Sequence, residues 1–99
     1  MTKLVLSAKA KKQLETIFEF IEARWSSRIR EKTATKIFKN FKIIERNPEL
    51  FSNSQNNKEL KKCVVSKQTT IYYKYSISKI TIVSVFDTRQ NPNKVTQIK

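Results

Sequence analysis

The side chains best suited to chemistry in this sequence are one arginine, a group of lysines and a tyrosine close to them. Arg89 follows the strand-forming run Val83-Ser-Val-Phe-Asp87 and sits on a polar Asp-Thr-Arg-Gln-Asn-Pro segment. A guanidinium placed there can grip a phosphate through two parallel hydrogen bonds, or stabilise charge developing on one. The competing use is a pairing with Asp87, two residues earlier on the same strand face. Lys61, Lys62, Lys67 and Lys74 fall on or beside two further strand patterns. Singly, a lysine on a strand keeps an edge soluble; as a group they describe a basic surface. Tyr72, Tyr73 and Tyr75 can each stack on a nucleobase. Alternation sends Tyr73 and Tyr75 to one face with Ile71 and Ile77, which reads as core, and Tyr72 to the other face with Lys74. The expected target-binding set is therefore Arg89, Lys62, Lys67, Tyr72 and Lys74. Because the segment around Arg89 is polar, its truncation is expected to leave the fold nearly intact.

The residues that are missing narrow the chemistry. The chain has no histidine and one cysteine, Cys63. An intrachain disulfide, a Cys–His nucleophile and zinc ligation are excluded, and no metal or organic cofactor is expected. Cys63 is expected to be a reduced filler of core or strand. Lys and Arg total 21 against 8 Asp and Glu, a formal charge of +13 over 99 residues. The excess runs through both halves of the chain, so the fold itself is basic rather than a tail attached to it. A nucleic acid, a nucleoprotein or an acidic protein is the expected partner, ahead of a merely solvated lysine surface, and no small-molecule substrate is expected. Leu4-Val5-Leu6 is the only apolar run before Lys9, Lys11 and Lys12, which fits neither a signal peptide nor a membrane span. A cytoplasmic location without membrane contact is expected.

The elements that must position these residues follow from periodicity. The length and a hydrophobic fraction of 38% suit one domain over residues 1–99 with one modest core. Lys3–Leu6 reads as a strand, and Ser7 as the cap of a helix. Leu14, Ile17, Phe18, Ile21 and Trp25 fall on one face of that helix, with Trp25 expected in the core. Ser26 or Ser27 caps a second helix whose core stripe is Ala34, Ile37, Phe38, Phe41 and Ile44. Asn47-Pro48 ends it, because a residue preceding proline is pushed out of the α region. Residues 52–59 hold no apolar side chain and form a loop. Strands are expected over 60–67, 70–77 and 80–87, the last apolar on both faces and so central. Their turns contain no glycine. The result is an α+β architecture, β-α-α-β-β-β, a helical hairpin packed on a mainly antiparallel sheet.

In that order, the elements resemble the RelE/ParE toxin superfamily of type II toxin–antitoxin systems, and its ParE-like members in particular. Val83 to Pro92 is similar to the family's closing strand and Arg-Gln-x-Pro signature. Leu14 to Trp25 resembles its first helix, Asn47-Pro-Glu-Leu-Phe51 the end of its second, and Ile71-Tyr-Tyr-Lys-Tyr75 its middle strand. The resemblance implies the RelE-like fold, growth inhibition and a cognate antitoxin. One branch poisons DNA gyrase and another cuts mRNA on the ribosome. In the ribonuclease branch Arg89, Lys61 and Lys62 would be the catalytic candidates. Cleavage through a 2′-hydroxyl uses a base and an acid, and members that cut often carry Tyr or His just after the Arg. Residues 93–99 contain neither, Val95 stands about where the aromatic would be, and a lysine base would need a large pKa shift. The ParE-like reading, a toxin that binds a nucleoprotein target, is therefore placed first. The ribosome-dependent endoribonuclease is second, and a basic nucleic-acid-binding module without toxicity third.

Overall fold

The computed structural model describes residues 3–55 and 57–89. Strand β1 (Lys3–Leu6) leads into helix α1 (Ala8–Arg24) and helix α2 (Ser27–Arg46); β2 (Lys61–Val64), β3 (Thr69–Tyr75) and β4 (Lys79–Asp87) follow. The sheet order is β1-β4-β3-β2, with β1 parallel to β4 and the other pairs antiparallel. The last strand is thus central, as its two apolar faces implied, and the two helices cover one face of the sheet.

Local chemistry accounts for the helix boundaries. The Ser7 hydroxyl accepts from Ala10 N at 3.0 Å, and Ser26 from Ile29 N at 3.1 Å, so each helix starts on a side-chain cap. Ala10, Leu14, Ile17 and Ile21 of α1 and Ile37, Phe41 and Ile44 of α2 are buried against Ile71, Tyr73, Ile80, Ile82 and Val85 of the sheet. Cys63 is fully buried in the same core, where loss of solvation pushes its thiol pKa up to about 11.

Four expected core residues, Trp25, Phe38, Tyr75 and Ile77, are exposed instead. Trp25 is 49% exposed because α1 ends at Arg24 and Trp25 is its C-cap, with a ring tilted against Phe20 rather than continuing the stripe. Phe38 is 48% exposed: Ile37 and Phe41 face the sheet, and Phe38 lies at the helix–helix seam, edge-on to Phe18. Ile77 is 98% exposed because β3 stops at Tyr75, itself at the exposed end of the strand, and residues 77–78 form the turn into β4. Strand β2 is also shorter than the pattern suggested, ending at Val64.

The turns work without glycine, and no described residue has a positive φ. At the β2–β3 turn the Ser66 hydroxyl accepts from the backbone N–H groups of Gln68 and Thr69, both at 3.2 Å, replacing what a left-handed residue would supply. At the β3–β4 turn Ser76 N donates to Lys79 O at 2.8 Å.

Strand β4 contains the irregularity that matters most for the site. Tyr72 pairs with Ser84 but Tyr73 with Ile82, leaving Val83 as an extra residue. This bulge reverses the alternation, so that Ile80 and Ile82 face the helices before it, and Val85 and Asp87 face them after it. Beyond Ile82, β1 no longer covers that side of β4, and α1 takes over. The Ser7 hydroxyl donates to Val83 O at 3.0 Å, and Gln13 Oε1 accepts from Val85 N at 2.9 Å. Two main-chain groups left without strand partners are thereby satisfied.

Candidate functional site

The residues singled out from sequence separate onto two faces. On the face turned away from the helices, Lys62 of β2 lies directly across from Tyr72 of β3, and Tyr72 across from Ser84 of β4. Alternation puts Lys74, which is exposed, on the same face. Lys62 and Tyr72 line a cleft of about 780 Å³ with Val64, Leu50 and the segment 51–55. Leu50 and Val64 are 62% and 59% exposed, so the cleft has apolar walls as well as a cation.

That cleft is firmly supported. Lys62 N donates to Ser52 O at 2.9 Å, and Ser54 N to Leu60 O at 2.7 Å, so segment 52–54 pairs along the start of the β2 edge. Lys61 Nζ donates to Phe51 O at 2.8 Å and to Asn53 Oδ1 at 3.2 Å, and lies 5.8 Å from the centre of the Tyr75 ring. Tyr73 Oη donates to Pro48 O at 2.6 Å, fixing the chain where it leaves α2. Lys61 is therefore engaged in holding the loop to the sheet, while Lys62 is exposed at the cleft.

Tyr72 is on the expected face but only 7% exposed. Its ring forms the floor of the cleft instead of a projecting platform. Burial raises the pKa of its phenol, which keeps the proton on at neutral pH. Tyr72 can donate a hydrogen bond there.

Arg89 lies on the helix side. Its Nε donates to Asp87 Oδ1 at 2.9 Å and its Nη2 to Asp87 Oδ2 at 2.7 Å, the two-pronged pairing that had been its alternative use. Nη2 also reaches Thr33 Oγ1 of α2 at 3.4 Å. Asp87 further accepts from Thr69 Oγ1 at 2.7 Å and from Arg89 N at 2.9 Å. The Asp87 side chain is fully buried and that of Arg89 is 20% exposed. A small polar cleft of about 40 Å³ adjoins the pair, lined by Thr33, Lys36, Ser66 and Gln68 among others. Lys67 is exposed in the neighbouring β2–β3 turn. Arg89 thus lies on the helix side of the sheet, Lys67 in the turn at its end, and Lys62, Tyr72 and Lys74 on the open face. Gln90 to Lys99, including the Gln-Asn-Pro of the signature and Val95, lie outside the described residues.

Sequence reasoning missed Leu50 and Val64 as cleft walls. An outward-facing valine on an edge strand with lysines was the available signal for Val64. Leu50 had none, since its place depends on the 52–54 segment folding back along β2.

Two helices on one face of a four-stranded sheet in the order β1-β4-β3-β2 give the RelE/ParE-like fold. The family model described as the ParE toxin of the type II toxin–antitoxin system, parDE, matches residues 4–92. The chain belongs to that family and is the toxin component of such a system. Among solved structures it is similar to a chain from the chromosomal ParDE TA system of P. aeruginosa, with a TM-score of 0.75 and 13% identity over 88% of this chain and 96% of that one. It is also similar to YafQ from E. coli strain BL21(DE3), with a TM-score of 0.62 and 9% identity over 90% of this chain and 96% of that one. At such identities the likeness is one of fold. No curated protein matches the sequence.

Proposed function

We propose that residues 1–99 form one toxin domain that arrests growth in the cytoplasm by binding a nucleoprotein target, DNA gyrase in the first instance, without a cofactor. What carries this reading is the family match combined with an open face that, among the described residues, offers binding groups and no acid–base couple. Lys62, Lys74, Tyr72 and Ser84 are found there; the chain has no histidine, and Tyr72 holds its proton. No described helix is long and apolar enough to cross a membrane.

A cognate antitoxin would cover the helical hairpin and an exposed sheet edge. Trp25 and Phe38 supply exposed aromatic surface on the hairpin. Beyond segment 52–54, alternation points the N–H and C=O of Val64 outward from β2, open to another strand. An acidic wrapping chain would gain steering from the +13 charge. Co-purification of the antitoxin through residues 93–99 alone would contradict this arrangement.

The target is tested by inducing the toxin while DNA and protein synthesis are followed together. Filamentation with DNA-damage signalling, before translation falls, is expected. Immediate arrest of translation with undamaged DNA would overturn the gyrase reading in favour of the ribosome-dependent endoribonuclease. Growth unaffected by abundant folded protein would favour a non-toxic nucleic-acid-binding module.

A further inference from the structure

One face of α2 carries six cations, with a single acid, Glu31, beside Arg28 and Lys32 at its N-terminal end. Arg28, Lys32, Lys36, Lys39, Lys42 and Arg46 recur every three or four residues, and all six are exposed. At 1.5 Å per residue the row is straight and about 27 Å long. Among the described residues none of the six forms a salt bridge; the ion pairs are Arg30 with Glu22 and Arg89 with Asp87. We propose that this row on α2 is a docking surface for the phosphate backbone of duplex DNA. The proposal deepens the nucleoprotein-target reading and rests on it, placing the nucleic-acid contact on the helix face rather than in the open-face cleft.

The simpler use of such a row is solubility, and the helix argues against it. Like charges three or four apart oppose each other along a helix; Arg28 and Lys42 each have a carboxylate three residues on, Glu31 and Glu45, but Lys32, Lys36 and Lys39 have none at that spacing. Arg46, in the last turn, is favoured by the helix dipole, but Arg28 stands in the first turn, where the dipole opposes a cation. Neither consideration accounts for Lys32, Lys36 and Lys39 in the middle. An arrangement that costs the free helix stability gains it back against a polyanion, through Coulomb attraction and release of condensed counterions.

The shape of the row favours a duplex. A rigid line of about 27 Å corresponds to roughly eight base pairs of B-form DNA. No aromatic side chain interrupts the row, so it lacks the stacking platforms that single strands use. Lys36 also lines the polar cleft beside Arg89, where Thr33, Ser66 and Gln68 add uncharged donors and acceptors at the flank. This chemistry contacts phosphates and does not read bases.

The test is fluorescence anisotropy with the purified chain and a random-sequence 20-base-pair DNA duplex over a salt series. Binding is expected with a slope of log K against log salt of about −4 to −5, as for four to six neutralised phosphates. Lys32→Gln/Lys36→Gln/Lys39→Gln should flatten the slope by about 2 to 3 and weaken binding roughly tenfold or more. Lys9→Gln/Lys12→Gln/Lys79→Gln removes the same charge elsewhere and should change both far less; circular dichroism confirms that each variant is folded. Equal losses in the two variants would show diffuse charge and overturn the proposal. So would absence of duplex binding, or poly-L-glutamate occupying the row when duplex DNA does not. Duplex binding through the row by a chain that never arrests growth would sustain this inference while sinking the toxin target reading.

Discussion

Replacing Arg89 by Ala should destabilise the domain, and the size of the loss follows from what Asp87 keeps. In the folded protein the Asp87 carboxylate accepts from Arg89 Nε and Nη2, from Thr69 Oγ1 and from Arg89 N, with its side chain fully buried. The substitution removes the two charged donors and leaves the two neutral ones. Stranding one member of a buried ion pair costs ~3–5 kcal/mol. The two remaining hydrogen bonds, and the 20% of the Arg89 side chain open to water, pull the expected loss toward the lower end, about 2–4 kcal/mol. A domain of this size holds ~5–15 kcal/mol in total, so the change is large but survivable. Asp87→Ala/Arg89→Ala should recover part of it, because no uncompensated charge stays buried, giving a coupling of roughly 1–3 kcal/mol in the double-mutant cycle. Urea unfolding of the four proteins measures the cycle, and growth inhibition is read on the same variants. If inhibition falls only in proportion to the folded fraction, Arg89 is a structural tie between β4 and α2. Unchanged urea midpoints for Arg89→Ala would refute the reasoning, and with inhibition lost as well would return Arg89 to the target surface.

Phe41→Ala should cost ~3–5 kcal/mol, whereas Phe38→Ala, at a half-exposed seam, should cost about 1 kcal/mol in the same assay; equal losses would contradict the assigned face of α2. Gln13→Ala should cost ~1–2 kcal/mol by leaving Val85 N without its acceptor beside the bulge, and amide exchange of Val85 should accelerate. Cys63 and Tyr73 have folded pKa values raised by burial, from 9.0 to about 11 and from 10.0 to about 12. Both are neutral when protonated and folding favours that form, so their contribution is complete below pH 9 and lost as pH rises toward 12. Melting temperature should be insensitive to these groups between pH 7 and 8.5 and fall steeply above pH 9.5; a maximum near pH 11 would reverse the assignment.

Much of the fold was legible because its signals are local. Ser7, Ser26 and Asn47-Pro48 set the helix ends by capping and by the geometry preceding proline, and those boundaries hold. Leu14, Ile17 and Ile21 faced inward as their spacing required. The readings that failed depended on where an element stops. Trp25 continues the helical period in sequence, yet the helix ends one residue before it, so periodicity outran the structure. Ile77 did the same at the end of β3. For the site, face and neighbourhood were less legible than residue type. Lys62, Tyr72 and Lys74 share a face by simple alternation, but the near-complete burial of Tyr72 depends on packing around it that no strand pattern encodes.

The largest consequence comes from a single residue, Val83. Alternation counted from Ile80 and Ile82 without interruption would turn Arg89 outward, onto the open face with Tyr72 and Lys62. The extra residue at Val83 reverses that phase, and Val85, Asp87 and Arg89 turn toward the helices. There the buried Asp87 carboxylate finds its partner, and Thr33 of α2 is within reach of the same guanidinium. The bulge is held by the residues that begin α1, through Ser7 and Gln13. The start of the first helix therefore determines which face receives the last charged residue of the described chain. A strand that is apolar on both faces has two physical explanations: a central position, or a reversal of phase within it. Here both apply, and the reversal sets which face of the sheet receives the Arg89 guanidinium.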